Sequence, residues 1–141
     1  MKKSMVLSIC GTQYYPNQQP EVIELVTDST LEFRDGGWDI CYEESELTGL
    51  AGVTTTFRLE PGQVTLERKG KLSSQMVFRQ GIPHESLYQM EFGALMLTVC
   101  AQMIEASIDE NGGTVDLQYA IAIENSDAGI VEYHLEVKPK E

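Results

Sequence analysis

The sequence predicts an all-β protein, an antiparallel up-and-down closed β-barrel of about eight to ten strands. Three observations carry this. Period-2 alternation of β-branched and aromatic residues runs almost from end to end, and helix-period segments are almost absent. Turn residues separate these runs at short intervals. The stretch Tyr42–Thr56, YEESELTGLAGVTTT, reads as a strand, a glycine-pinned corner and a second strand, and the chain on both sides repeats that pattern. Consecutive antiparallel strands leave two pairing edges unless the sheet closes on itself. A two-sheet sandwich is the competing architecture.

The elements follow in order. The first strand is expected over 5–14. Lys2 and Lys3 precede a short apolar run, Met5-Val6-Leu7-Ser8-Ile9-Cys10, which is too short for a signal peptide and lacks a small-residue cleavage pattern. A polar loop, Tyr15–Pro20, leads to a strand over 21–34, with a break expected near Asp28-Ser29. Asp35-Gly36-Gly37 turns the chain into 38–46. The corner Thr48-Gly49 leads to 52–60, Pro61-Gly62 to 63–69 and Lys69-Gly70 to 72–79. The segment Gln80-Gly81-Ile82-Pro83 leads to 84–90, and 93–107 comes next. Asn111-Gly112-Gly113 and Asn125-Ser126-Asp127 bound the last two strands, 113–123 and 129–138.

Pairing must match apolar faces, because a one-residue slip turns a strand inside out. The Pro61-Gly62 turn sets Leu59 opposite Val64, Phe57 opposite Leu66 and Thr55 opposite Arg68. An odd loop at Gly70 sets Leu66 opposite Ser74 and Val64 opposite Met76. The Gly81 loop sets Ser74 opposite Tyr88, Met76 opposite Ser86 and Phe78 opposite His84. The Thr48–Ala51 corner sets Tyr42 opposite Phe57 and Glu44 opposite Thr55. One face then carries Ile40, Tyr42, Phe57, Leu66, Phe78 and Val99 and forms the interior. Val115, Leu117, Tyr119, Ile121 and Ile123 join it, facing Val131, Tyr133, Leu135 and Val137.

At 141 residues the chain fits one domain, 1–141, large enough to fold without a metal or disulfide. Its formal net charge is −12. Such a surface repels phosphate backbones and anionic membranes, so neither nucleic acid nor membrane is an expected partner. No apolar stretch is long enough for a transmembrane helix. The scattered Cys10, Cys41 and Cys100 read as free thiols in a reducing compartment, each a small strand residue without a basic sequence neighbour.

The apolar face is interrupted by Glu44, Thr55, Arg68, Ser74, His84, Ser86 and Tyr88. Buried polar groups need partners. One reading is a satisfied polar layer with Glu44 and Arg68 as an ion pair. A second is a small-molecule pocket, in which a few polar groups converge on an apolar cavity. A third is acid–base chemistry by Glu44 and His84, although no nucleophile elbow or triad spacing is present. His134 alternates with Glu132 and Glu136 on the polar face and reads as solvated. Two distant histidines without Cys-x-x-Cys offer no zinc pattern, the acids at 43–46 lack calcium-loop spacing, and no glycine loop suits a phosphate. No cofactor, metal or catalytic residue is expected.

The blocks Tyr42–Thr56, Gln75–Gly81 (QMVFRQG), His84–Tyr88 (HESLY), Phe92-Gly93 and Glu110–Tyr119 (ENGGTVDLQY) resemble the YwiB-like family. The resemblance covers nearly the whole chain. It implies a calycin-type, lipocalin-like β-barrel in a cytoplasmic bacterial protein, with no established activity and so no catalytic residue to carry over. Cys41 and Phe92 stand where Ser and Tyr are more usual. The expected function is therefore a barrel that binds a small apolar or carboxylate ligand inside. Arg68 would be the anion anchor, with His84, Tyr88, Glu44, Ser74, Thr55 and Ser86 around it. The alternative is an interaction protein, such as a homodimer using an outer patch around Met96, Thr98 and Cys100.

Overall fold

Ten strands pair with their sequence neighbours in a computed structural model that describes residues 2–45, 50–90, 93–124 and 126–140, the side chains of Met90, Asp127 and Ala128 excepted. They are β1 (Lys2–Tyr14), β2 (Glu21–Arg34), β3 (Gly37–Glu43), β4 (Val53–Glu60), β5 (Gln63–Gly70), β6 (Ser74–Phe78), β7 (Pro83–Met90), β8 (Gly93–Asp109), β9 (Gly112–Ile123) and β10 (Ser126–Pro139). Every expected strand is present. The expected break near Asp28-Ser29 is not: β2 is continuous. What changes there is the neighbour, because β3 pairs only with Thr30–Arg34 while β1 accompanies β2 from Glu21 to Glu32. The Thr48-Gly49 corner, Glu46, Phe92 and Asn125 lie outside the described residues.

The sheet order is β6-β5-β4-β3-β2-β1-β10-β9-β8-β7. All ladders within it are antiparallel. The first and last strands, β1 and β10, are fully zipped, from Met5 opposite Pro139 to Tyr14 opposite Ile130. The weakest junction lies instead between β6 and β7. There Ser73 and Gln89 exchange backbone bonds at 2.9 and 2.8 Å, Ile82 N–H donates to the Arg79 carbonyl at 3.0 Å, and Val77 N–H donates to His84 Nδ1 at 3.4 Å. The barrel is nearly closed, with this seam as its gap.

Turn chemistry fixes several registers. Asp35 and Gly36 both have positive φ, 50° and 79°, as a tight two-residue hairpin requires. Pro61-Gly62 pairs Leu59 with Val64, Phe57 with Leu66 and Thr55 with Arg68, as expected. Two registers differ from expectation by two residues. At Gly70 the loop is longer, so Leu66 faces Met76, Val64 faces Phe78 and Arg68 faces Ser74. At the β3–β4 corner Tyr42 faces Thr55 and Ile40 faces Phe57. An even shift keeps every side chain on its expected face, so the interior is the expected one. The single bridge Ser73 opposite Gln89 shares the register expected for the Gly81 loop, although the row it implies is not laddered further along. In β8 a bulge between Ala101 and Met103 reverses the alternation, so that Ile104 and Ile108 pack inward.

The core fills one half of the barrel. Leu7, Leu31, Ile40, Phe57, Leu66, Phe78, Val99, Leu117 and Leu135 are essentially sealed from solvent. Each such side chain contributes about 1.5–3 kcal/mol of transfer free energy. This half lies toward the β2–β3, β4–β5, β6–β7 and β8–β9 turns. The other half has no such filling.

Candidate ligand-binding site

The unfilled half contains a cavity of about 320 Å³. Most of its wall is apolar and comes from the alternating inward positions of strands: Ile9 on β1, Leu25 on β2, Leu97 on β8, Ile121 on β9 and Val131 on β10. Its outer rim includes Tyr14 and Ile23, both substantially exposed, so the cavity opens at this end of the barrel. The inner end is aromatic. Phe78 packs on Tyr119 with ring centroids 4.5 Å apart, Tyr119 stacks with Tyr133 at 6.4 Å, and Phe57 meets Tyr133 edge-on at 5.9 Å. These rings separate the filled half from the hollow half.

Gly11 makes room for this arrangement. It occupies an inward position of β1, and a Cβ there would come within 3.1 Å of Tyr133 Cε1. A glycine inside an alternating strand signals such a close approach.

Arg68 projects from β5 into this aromatic end. Its side chain is 14% exposed, and its Nε has no hydrogen-bond partner among the described residues. Glu44 Oε2 lies 4.0 Å from that nitrogen, so the expected Glu44–Arg68 ion pair is present at its outer limit but without a hydrogen bond. The Glu44 carboxylate instead accepts from Thr55 Oγ1 at 2.6 Å and stands near the Tyr42 phenol. Burial works against the Arg68 charge, but the surrounding Tyr133, Tyr119, Tyr42 and Glu44 outweigh it and raise its pKa. The guanidinium therefore stays protonated. Burial also raises the Tyr42 and Tyr119 phenols: the neighbouring Glu44 adds to the effect at Tyr42, Tyr133 adds to it at Tyr119, and Arg68 opposes it at both. Tyr42 and Tyr119 are both neutral hydroxyls at ordinary pH.

Three of the seven expected site residues, Glu44, Arg68 and Tyr88, line the cavity. Thr55 is fully buried behind Glu44 and acts through it. The expectation that Glu44 sits directly opposite Thr55 is corrected to a diagonal: Glu44 N–H bonds the Val53 carbonyl, and the side chains meet across one step of the ladder. Ser74 is buried directly across from Arg68, and its hydroxyl also lacks a partner among the described residues. Ser74 and Arg68 together line a second, shallower cleft at the seam with Ser73, Leu87 and Gln89. Ser86 is buried on β7 opposite Leu97. His84 stands at the seam against β6 and is not among the cavity-lining residues, so Glu44 and His84 do not share a site.

Sequence reasoning placed Tyr42, Tyr119 and Tyr133 on the interior face but read them only as core. The available signal was the phenol itself, since a tyrosine hydroxyl inside a barrel needs a polar neighbour. One neighbourhood was invisible in sequence. On the outer face Cys10 stands opposite His134, whose Nδ1 is 2.6 Å from Asp116 Oδ1. Cys10 thus has a basic neighbour across strands that it lacks along the chain.

The profile of a domain of unknown function, DUF1934, matches residues 7–137 of this chain. The chain belongs to that family. A relative, the uncharacterized beta-barrel protein YwiB of Bacillus subtilis (strain 168), is 30% identical over 99 residues, covering 70% of this chain and 68% of that protein. The crystal structure of the ywiB protein from Bacillus subtilis superimposes with a TM-score of 0.83 at 19% identity, covering 99% of this chain and 94% of that one. The family fold is therefore this β-barrel, and the YwiB-like resemblance read from the sequence holds. Among the described residues no helix is long and apolar enough to cross a membrane.

Proposed function

We propose that this protein is a small-molecule-binding barrel that holds its ligand in the internal cavity beside Arg68. The observation that carries the reading is a cavity of about 320 Å³ with apolar walls and a buried guanidinium whose Nε lacks a partner among the described residues. Cavities of roughly 300–1,000 Å³ with few convergent polar groups are the usual form of small-molecule sites. A packed, self-satisfied core would have no reason to bury an arginine whose Nε has no hydrogen-bond partner among the described residues. The calycin-type, lipocalin-like classification accords with an antiparallel meander open at one end. A cytoplasmic setting accords with three free thiols on the strands.

Native mass spectrometry of the protein purified from a bacterial host, followed by denaturing extraction, tests this. The expected result is a co-purifying small molecule that is absent from Arg68→Ala. An apo mass that stays apo when the protein is incubated with a lysate small-molecule fraction would overturn it.

A second reading rests on a different observation. Leu87 and Met96 stand opposite each other on the outer face, 44% and 37% exposed. The patch expected around Met96, Thr98 and Cys100 thus centres on Met96 and Leu87, while Thr98 and Cys100 are half-buried. An exposed apolar pair of this kind favours a homodimer face. Sedimentation velocity decides it: a monomer at high protein concentration removes the reading.

A further inference from the structure

The cavity is not merely apolar, and its polar end is one-sided. Arg68 is the one Arg or Lys among the described residues lining it. Its Nε is buried and without a partner among the described residues; so is the hydroxyl of Ser74, the residue paired with it on β6, which lines the seam cleft rather than this cavity. Glu44, the carboxylate beside it, already accepts a hydrogen bond from Thr55 Oγ1. Around the guanidinium stand the phenols of Tyr42, Tyr119 and Tyr133, which can each donate or accept. Beyond them the wall becomes hydrocarbon, from Ile9, Leu25, Leu97, Ile121 and Val131 to the rim at Leu50.

We infer, resting on the binding reading above, that the ligand is a monocarboxylate with a compact apolar tail, its carboxylate on Arg68 and its tail toward the rim. A guanidinium fork matches a carboxylate and holds it through paired N–H bonds. Arg68 is one cation, and Glu44 beside it already offsets part of its charge, so the site has nothing to balance a second negative charge on a ligand. A phosphate monoester, carrying about −1.5 to −2 near neutral pH, would leave excess charge buried in an acidic protein. Size limits the tail: at roughly 30 Å³ per small group the cavity takes about ten non-hydrogen atoms. Octanoate matches that size, and a long-chain fatty acid exceeds it.

Isothermal titration calorimetry near neutral pH with octanoate, octan-1-ol and octylammonium tests the assignment. Octanoate is expected to bind about ten- to a hundredfold more tightly than octan-1-ol, the usual worth of charge-assisted hydrogen bonds in a buried site. Glu44→Gln should tighten octanoate by removing the neighbouring negative charge. The double variant Arg68→Met with Glu44→Gln removes the cation without stranding a carboxylate and should lose the preference for octanoate. Its thermal unfolding is measured alongside, and Leu97→Trp, which fills the apolar part, should weaken octanoate and octan-1-ol together. Equal binding of octanoate and octan-1-ol, or a preference for octylammonium, overturns the carboxylate assignment and leaves the binding barrel standing. No binding of any probe also overturns the carboxylate assignment, and the binding barrel itself then falls only if the native mass stays apo.

Discussion

Arg68, Tyr42 and Tyr119 place ionisable groups where water is scarce, and each has a consequence for pH. Burial holds the Tyr42 and Tyr119 phenols above the ordinary value near ~10. Above that pH the unfolded chain releases phenolic protons that the folded protein retains, so the unfolded state binds fewer protons and stability falls as pH rises. This contribution is fully present below about pH 10 and is lost as pH climbs through the raised folded values. Urea unfolding between about pH 9 and 11 should show a steep fall in stability, flattened in Tyr42→Phe with Tyr119→Phe. An unchanged slope in that variant would mean the phenols are not desolvated. The polar residues that matter most here were legible in the sequence as exceptions to alternation. Glu44, Arg68 and Tyr88 broke an otherwise apolar face, and the structure lines the cavity with them. His84 broke the same pattern, but its role is to cap a β6 amide at the seam. Alternation reports which face a side chain takes, not what it meets there.

Strands were read well because their determinants are local. Asp35-Gly36 and Pro61-Gly62 state their own turn geometry, and the ladders on either side follow from it. The longer connections at Gly70 and at the β3–β4 corner state only a parity, so their registers were off by two while their faces were right. Hollowness was not legible at all. Ile9 and Leu25 line the cavity while Leu7 and Leu31 are packed core, and the two sets are chemically alike. The difference is their distance from the aromatic rings, which only the closed sheet defines. Gly113 at the β8–β9 hairpin tests how firmly one element is fixed. It has φ of 146°, and a Cβ there would lie 1.8 Å from the Ser107 carbonyl oxygen. Gly113→Ala should cost at least about 2 kcal/mol by denaturant unfolding, through backbone strain and a clash with backbone that cannot rotate away. A change within about 0.5 kcal/mol would show that the hairpin relaxes freely.

As a whole the molecule carries a net charge of −12, and its mutual repulsion opposes the compact state. Raising ionic strength from about 10 mM to 150 mM shortens the screening length to about 8 Å, so the melting temperature should rise over that range. A melting temperature that falls would place the dominant electrostatics in exposed attractive pairs such as Arg34–Asp35 and Lys138–Glu136 instead. The seam between β6 and β7 has a different consequence. Lys140 N–H donates to the Ser4 carbonyl, so the two ends of the described chain lie side by side, joined through β1 and β10. The sheet's true first and last strands are β7 and β6, which the chain happens to connect through Gln80-Gly81. A circular permutant that begins at β7, runs through a short linker joining β10 to β1 and ends at β6 would keep every ladder of the sheet. Seen this way, the protein is a ten-stranded ribbon rolled up from its middle.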